Sequence, residues 1–181
     1  MPLQAMGKGG GIMNDKEILK KAIETFGKDK QMDILIEECN ELMTELILYA
    51  RDKKENLKEL ASEINDVYIM IEQYEMIVDI TALTPSPDVE KETKWNVVQD
   101  TIFPLLALQK EVCKRKRGKS HAMESMRRMT DVLLMLEFLK DMLRRIEKID
   151  IDNMIQEQRE FKIKRLEGRI EEWNVSTAKK N

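Results

Sequence analysis

Six carboxylates lie close together in the first half of the chain: Glu37, Glu38, Glu41 and Glu45, then Glu63 and Asp66. On a helix, residues three or four apart are surface neighbours, so Glu38, Glu41 and Glu45 form one acidic ridge and Glu63 with Asp66 another. Each like-charge neighbour costs about 0.2–0.5 kcal/mol, and positions 31–50 hold no Lys or Arg to relieve it. Solvated helix faces often carry acids without consequence. Here, however, Glu63 and Asp66 interrupt an apolar run of Leu60, Ile64, Val67 and Met70, at the margin of a core. A bound cation accounts for both features. The single histidine, His121, lies outside both ridges, and a di-iron bundle needs Glu-x-x-His pairs. A hard, oxygen-preferring ion is expected instead; Mg²⁺ keeps positions open for water and phosphate oxygens. One histidine in an unrelated segment supports no Ser/His/Asp or Cys/His route, and Gly7–Gly11 lacks the GK[ST] ending of a phosphate loop.

Apolar stripes at three- and four-residue spacing predict an all-α, antiparallel helical bundle of about six helices. The first runs from an Asn14/Glu17 capping box to a stop at Gly27. The second, from near Asp29 to about Asp52, carries Met32, Leu35, Cys39, Leu42, Leu46 and Tyr49 on one face. The third starts after Asn56, with Glu59 completing a second capping box, and continues to about Ile80. That capping role removes Glu59 from the metal-ligand candidates. A short connection makes helices two and three an antiparallel pair. Residues 81–94, with Pro85 and Pro87, read as a linker. A fourth helix spans Trp95 to Lys116, kinked or restarted at Pro104. Ser120 caps a fifth, to about Lys148, and the last covers Asp152 to Trp173. The expected arrangement is a disordered leader or expression remnant (1–12), one all-α domain (13–173) and a frayed tail (174–181).

The composition suits this class. Hydrophobic residues make up 42% and charged residues 36%, and seven Gly with four Pro leave few turns for an all-β fold. A formal net charge of −3 gives no long-range attraction to nucleic acid or anionic lipid, so neither is expected as a partner. An anionic ligand must be captured locally. Cys39 and Cys113 both fall in apolar helical stretches and are expected as free, buried thiols. No apolar run is long enough to span a membrane, so a reducing cytoplasm is the expected location.

A degenerate internal repeat is also expected. Residues 62–77 (SEINDVYIMIEQYEMI) set against 127–142 (RRMTDVLLMLEFLKDM) align Asp66 with Asp131, Met70 with Met135 and Glu72 with Glu137. Upstream, Glu41 aligns with Glu111. In such a second copy the chemistry is lost, because Arg128 replaces Glu63 while Ala107 and Leu108 stand against Glu37 and Glu38. One site per chain follows, with Arg127 and Arg128 expected at its border.

Glu37-Glu38-Cys39-Asn40-Glu41, followed after 21 residues by Glu63-Ile64-Asn65-Asp66, resembles the EExxE…ExxD signature of MazG-type all-α NTP pyrophosphohydrolases, a superfamily that includes the dimeric dUTPases. The closing segment Phe161–Ile170 is similar to the basic last helix of small family members, and 95–150 resembles the decayed second half of the dimeric dUTPases. The resemblance covers residues 14–80 and 152–173. It implies Mg²⁺, with Mn²⁺ as a substitute, held by Glu38, Glu41, Glu63 and Asp66. Glu37 becomes an auxiliary carboxylate for the attacking water, beside Glu38 and Glu41. Lys162, Arg165 and Arg169 would contact the triphosphate, and Gln31 the base or sugar. The implied activity is hydrolysis of a (d)NTP to (d)NMP and pyrophosphate, as nucleotide-pool house-cleaning or in a dUTPase-like role. The implied assembly is a homodimer, or a monomer whose second half completes the bundle in cis. The competing expectation is a catalytically inactive helical interaction protein that uses its methionine-rich fifth helix to bind a partner.

Overall fold

The computed structural model describes residues 13–51, 56–83 and 94–179. The expected leader, Pro85 and Pro87 of the linker, and the last two residues lie outside these. Among the described residues the chain is all-helical, with six helices and no strand. None of the helices is long and apolar enough to cross a membrane.

The first helix, α1 (Asp15–Phe26), begins at the expected capping box. Asn14 Oδ1 accepts the Glu17 N–H at 3.0 Å, and the Glu17 carboxylate accepts the Asn14 N–H at 3.1 Å. Gly27 takes φ +92°, a backbone angle that other residues adopt only under strain, and turns the chain directly into α2 (Lys28–Ala50). The third helix, α3 (Leu57–Val78), departs from expectation at its start. Asn56 makes no capping bond; its Nδ2 donates instead to the Glu45 carbonyl at 3.1 Å and the Glu45 carboxylate at 2.7 Å. The amide thus pins the start of α3 to the end of α2. Glu59 has no capping task and is exposed.

The core is centred on this pair. Leu35, Cys39, Leu42, Leu46 and Tyr49 of α2 meet Leu60, Ile64, Val67, Ile71 and Tyr74 of α3, all buried. Each large side chain removed from water contributes about 1.5–3 kcal/mol. A second hairpin, α4 (Lys94–Lys116) and α5 (Ala122–Glu147), packs Leu105, Leu108 and Val112 against Met129, Val132 and Leu136. A single α4 passes through Pro104 without restarting. Gln109 joins the hairpins, donating to the Ile36 carbonyl at 2.9 Å and to Asn40 Oδ1 at 2.8 Å. Cys113 is exposed on this hairpin, unlike the buried Cys39.

The second hairpin has the architecture of the first without its facing acids. Glu111, 2% exposed, is satisfied by the hydroxyls of Ser125 (3.1 Å) and Ser120. Ser120 is therefore occupied and does not cap α5. Asp131 lies 3.6 Å from Arg128.

The last helix, α6 (Ile151–Ala178), continues past Trp173 through most of the segment expected to fray. It buries only Ile151, Ile163 and Ile170. Charge supplements this thin apolar contact: Arg159 forms a fork on Glu72 at 2.8 and 2.9 Å and reaches Asp15 at 2.9 Å.

Candidate metal centre and its cavity

The antiparallel α2–α3 pair brings the two acidic ridges together. Glu38, Glu41 and Glu63 each place a carboxylate oxygen within 4.8 Å of the others. Ligands of one Mg²⁺ stand at most about 4.2 Å apart, twice its bond length, so movements of under an ångström would gather all three. Asp66, 8% exposed, lies beside them but is engaged by the Lys162 ammonium from α6.

Electrostatics shows what this arrangement lacks. Burial, and then the charges of Asp66, Glu41 and Glu63, push the Glu38 carboxyl up to about 8 despite the opposing Lys162. Burial, with Asp66 and Glu41 behind it, lifts Glu63 to about 7. Burial also raises Asp66, although Lys162 pulls the other way. Lys162, with Arg165 also acting on Asp66, does not balance four carboxylates. In addition, Glu63 Oε2 is buried without a hydrogen-bond partner, a condition that costs more for a charged group than the roughly 1–3 kcal/mol of a neutral one. An all-oxygen donor set with an orphaned buried oxygen fits a hard divalent cation.

Glu38, Glu41 and Asp66 line one end of a cavity of about 340 Å³. Lys162, Arg165 and Arg169, three and four residues apart on α6, line it as well, so the basic face and the acids share one space. Gln31 is also in its wall, at 3% exposure. Phe26 also lines the cavity; its ring meets Trp173 edge-on at 5.7 Å and lies 5.9 Å beneath the Arg169 guanidinium.

Not every expected residue arrives. Glu37 is exposed and does not line the cavity, because one helical step of about 100° turns it away from Glu38. Arg128 is held by Glu124 and Asp131 on its own helix, and Arg127 lines a separate groove beside Leu83. Sequence reasoning missed the Lys162–Asp66 pair, the Phe26–Trp173 wall and the buried amide of Gln73. Only Gln73 had a local signal, its seven-residue spacing from Asp66. A larger groove of about 790 Å³ between α1 and the end of α3 mixes Lys16, Lys20 and Lys28 with Glu24, Glu72, Glu75 and Asp79; its acids are interspersed with lysines and form no cluster of converging carboxylates. Comparison with known protein families, curated proteins and solved structures found no match.

Proposed function

We propose that the chain is a Mg²⁺-dependent, MazG-like nucleoside triphosphate pyrophosphohydrolase, converting NTP and water to NMP and pyrophosphate at one site per chain. The observation that carries this reading is a single cavity lined by the carboxylates of Glu38, Glu41 and Asp66 and by four cations, Lys30, Lys162, Arg165 and Arg169. Glu38, Glu41, Glu63 and Asp66 would hold the ion, Mg²⁺ or Mn²⁺. When bound, such an ion neutralises phosphate charge and lowers the pKa of water. The remaining work falls to the chain's own groups. Arg165 and Arg169 bind phosphate oxygens along the α6 face, charge-assisted contacts of about 1.5–3 kcal/mol each. Lys162 joins them on leaving Asp66. Glu38 and Glu41, the α2 acids in the cavity wall, are within reach of the proton released as the water oxygen bonds to phosphorus and the anhydride opens.

The decisive experiment measures pyrophosphate release from a panel of (d)NTPs with and without Mg²⁺. Removing two ligands by Glu38→Gln with Asp66→Asn should lower turnover by about 10³-fold, because ion-mediated stabilisation is worth several kcal/mol and about 1.4 kcal/mol is tenfold. Undiminished turnover in that double variant sinks the assignment. A second reading, a non-catalytic interaction protein, draws on Phe103 and Leu106 of α4, 66% and 47% exposed. It gains if no member of the panel is hydrolysed.

A further inference from the structure

Near the turn Glu45 meets Asn56 through a 2.7 Å hydrogen bond. Beyond it the antiparallel α2–α3 pair sets Glu41 beside Glu63, and then Glu38 beside Asp66, the neighbouring charge it feels most. Carried two turns onward, the same register sets Gln31 opposite Gln73. Gln31 is seven residues from Glu38 and Gln73 seven from Asp66, a rise of about 10.5 Å, and seven residues return nearly to the same helical face. Both line the cavity that the acids line, and both are almost fully buried, at 3% and 1% exposure. Gln73 Oε1 has no hydrogen-bond partner there.

A buried amide oxygen left unpaired is unfavourable, and a bound N–H donor would satisfy it. A carboxamide also turns end for end readily, and each one offers two donors on nitrogen and an acceptor on oxygen. Two such groups facing each other, two turns from the carboxylates, have the span between a nucleotide's phosphate and the far edge of its base. Phe26 lines the same cavity and sets an apolar ring beside the two amides.

We infer that Gln73, paired with Gln31, is a specificity-determining residue that reads the hydrogen-bonding edge of a nucleobase, so that the ligand is a base-bearing nucleotide with an N–H donor on that edge and not a bare phosphate chain. This inference rests on the proposed triphosphate site and deepens it. The asymmetry of the pair is chemical: Gln31 closes the α2 side, while Gln73 supplies the acceptor that has nothing to accept from in the protein itself.

The test is direct binding to the full chain by calorimetry, using the 5′-monophosphates of uridine, cytidine, thymidine, adenosine and guanosine, with ribose 5-phosphate as the base-free probe. At least one monophosphate should bind tenfold or more tighter than ribose 5-phosphate. Gln73→Met, similar in volume but without the amide, should weaken that nucleotide by about 10–100-fold, the loss of one buried hydrogen bond, and bring it close to ribose 5-phosphate. Gln73→Glu, with acceptors only, should reorder the preference among bases, and Gln31→Met should erode it from the opposite helix. The inference is overturned if all five monophosphates bind no better than ribose 5-phosphate, or if all three variants keep the wild-type ranking and margin. Selective monophosphate binding without NTP turnover would remove the hydrolase reading and leave the base site standing. Equal hydrolysis of NTPs and inorganic tripolyphosphate would do the reverse.

Discussion

Cation binding should expel protons from this protein, and the number is readable from the site. Glu38 and Glu63 are raised from 4.5 to about 8 and about 7. A carboxyl whose folded value lies above its unfolded one favours folding while it is protonated. That contribution is complete below about 4.5 and is lost as pH climbs through about 7 and then about 8. The cation-free protein should therefore melt at falling temperature between pH 6 and 8.5. A divalent ion reverses the sign, because it binds only the deprotonated ligands. At pH 7, Glu38 is protonated in roughly nine molecules of ten and Glu63 in roughly half. Both groups are partly open to water, which damps their shifts, so release of about one proton per ion is expected. Below pH 7 the Mg²⁺ dissociation constant should then fall about tenfold per pH unit and level off above pH 8.

Calorimetric titrations of Mg²⁺ in two buffers of different ionisation enthalpy measure this directly, since the difference in observed heat gives the protons released. Glu38→Gln should cut the release by more than half, because that side chain carries most of the bound proton at neutral pH. Mg²⁺ binding with no proton release, and with one affinity from pH 6 to 8.5, would refute the reasoning: the ion would be held somewhere other than these acids.

Three further outcomes follow from single contacts. Lys162→Met leaves Asp66 without its counter-charge, so the cation-free protein should melt several degrees lower, Mg²⁺ should restore most of the loss, and kcat/KM for an NTP should fall about 10–100-fold with one charge-assisted phosphate contact gone. Asn65 is fully buried with neither amide atom partnered; Asn65→Ala should raise the melting temperature by about 2–4 °C, relief worth on the order of 1 kcal/mol for a chain of this length. Leu42→Ala, at a 0% exposed position in the centre of the α2–α3 contact, should cost about 2–5 kcal/mol in chemical denaturation, and a cost below 1 kcal/mol would contradict the packing described.

The sequence made the first hairpin legible because its information is local. The Asn14 capping box, the Gly27 stop and the α2 stripe each depend on residues a few positions apart, and each appears where periodicity put it. The two missed caps share one cause. Asn56 and Ser120 have the chemistry of caps, but acceptors brought close by folding, Glu45 and Glu111, claim their side chains. Competition between a local bond and a tertiary one has no signature in spacing. Glu37 shows the converse limit. A doubled acid looks twice as promising in sequence, yet the helical step of about 100° leaves Glu37 exposed and outside the cavity that Glu38 lines.

The site itself divides along the same line. Its acids lie on helices joined by a short connection, so their meeting follows from the hairpin alone. Its cations lie on α6, about a hundred residues later, and nothing in their spacing says which face of the bundle that helix will cover. Placement of α6 depends on long-range charge: Arg159 on Glu72 and Asp15, and Lys162 on Asp66. The helix that completes the cavity is thus fastened in part by the same acid that would bind the ion. On the proposed reading an ion at Asp66 would compete with Lys162 for that carboxylate, so occupancy and the seating of α6 would be coupled through it. A hydrophobically anchored helix would have kept the two independent, whereas α6, with three buried residues in twenty-eight, leaves that coupling in place.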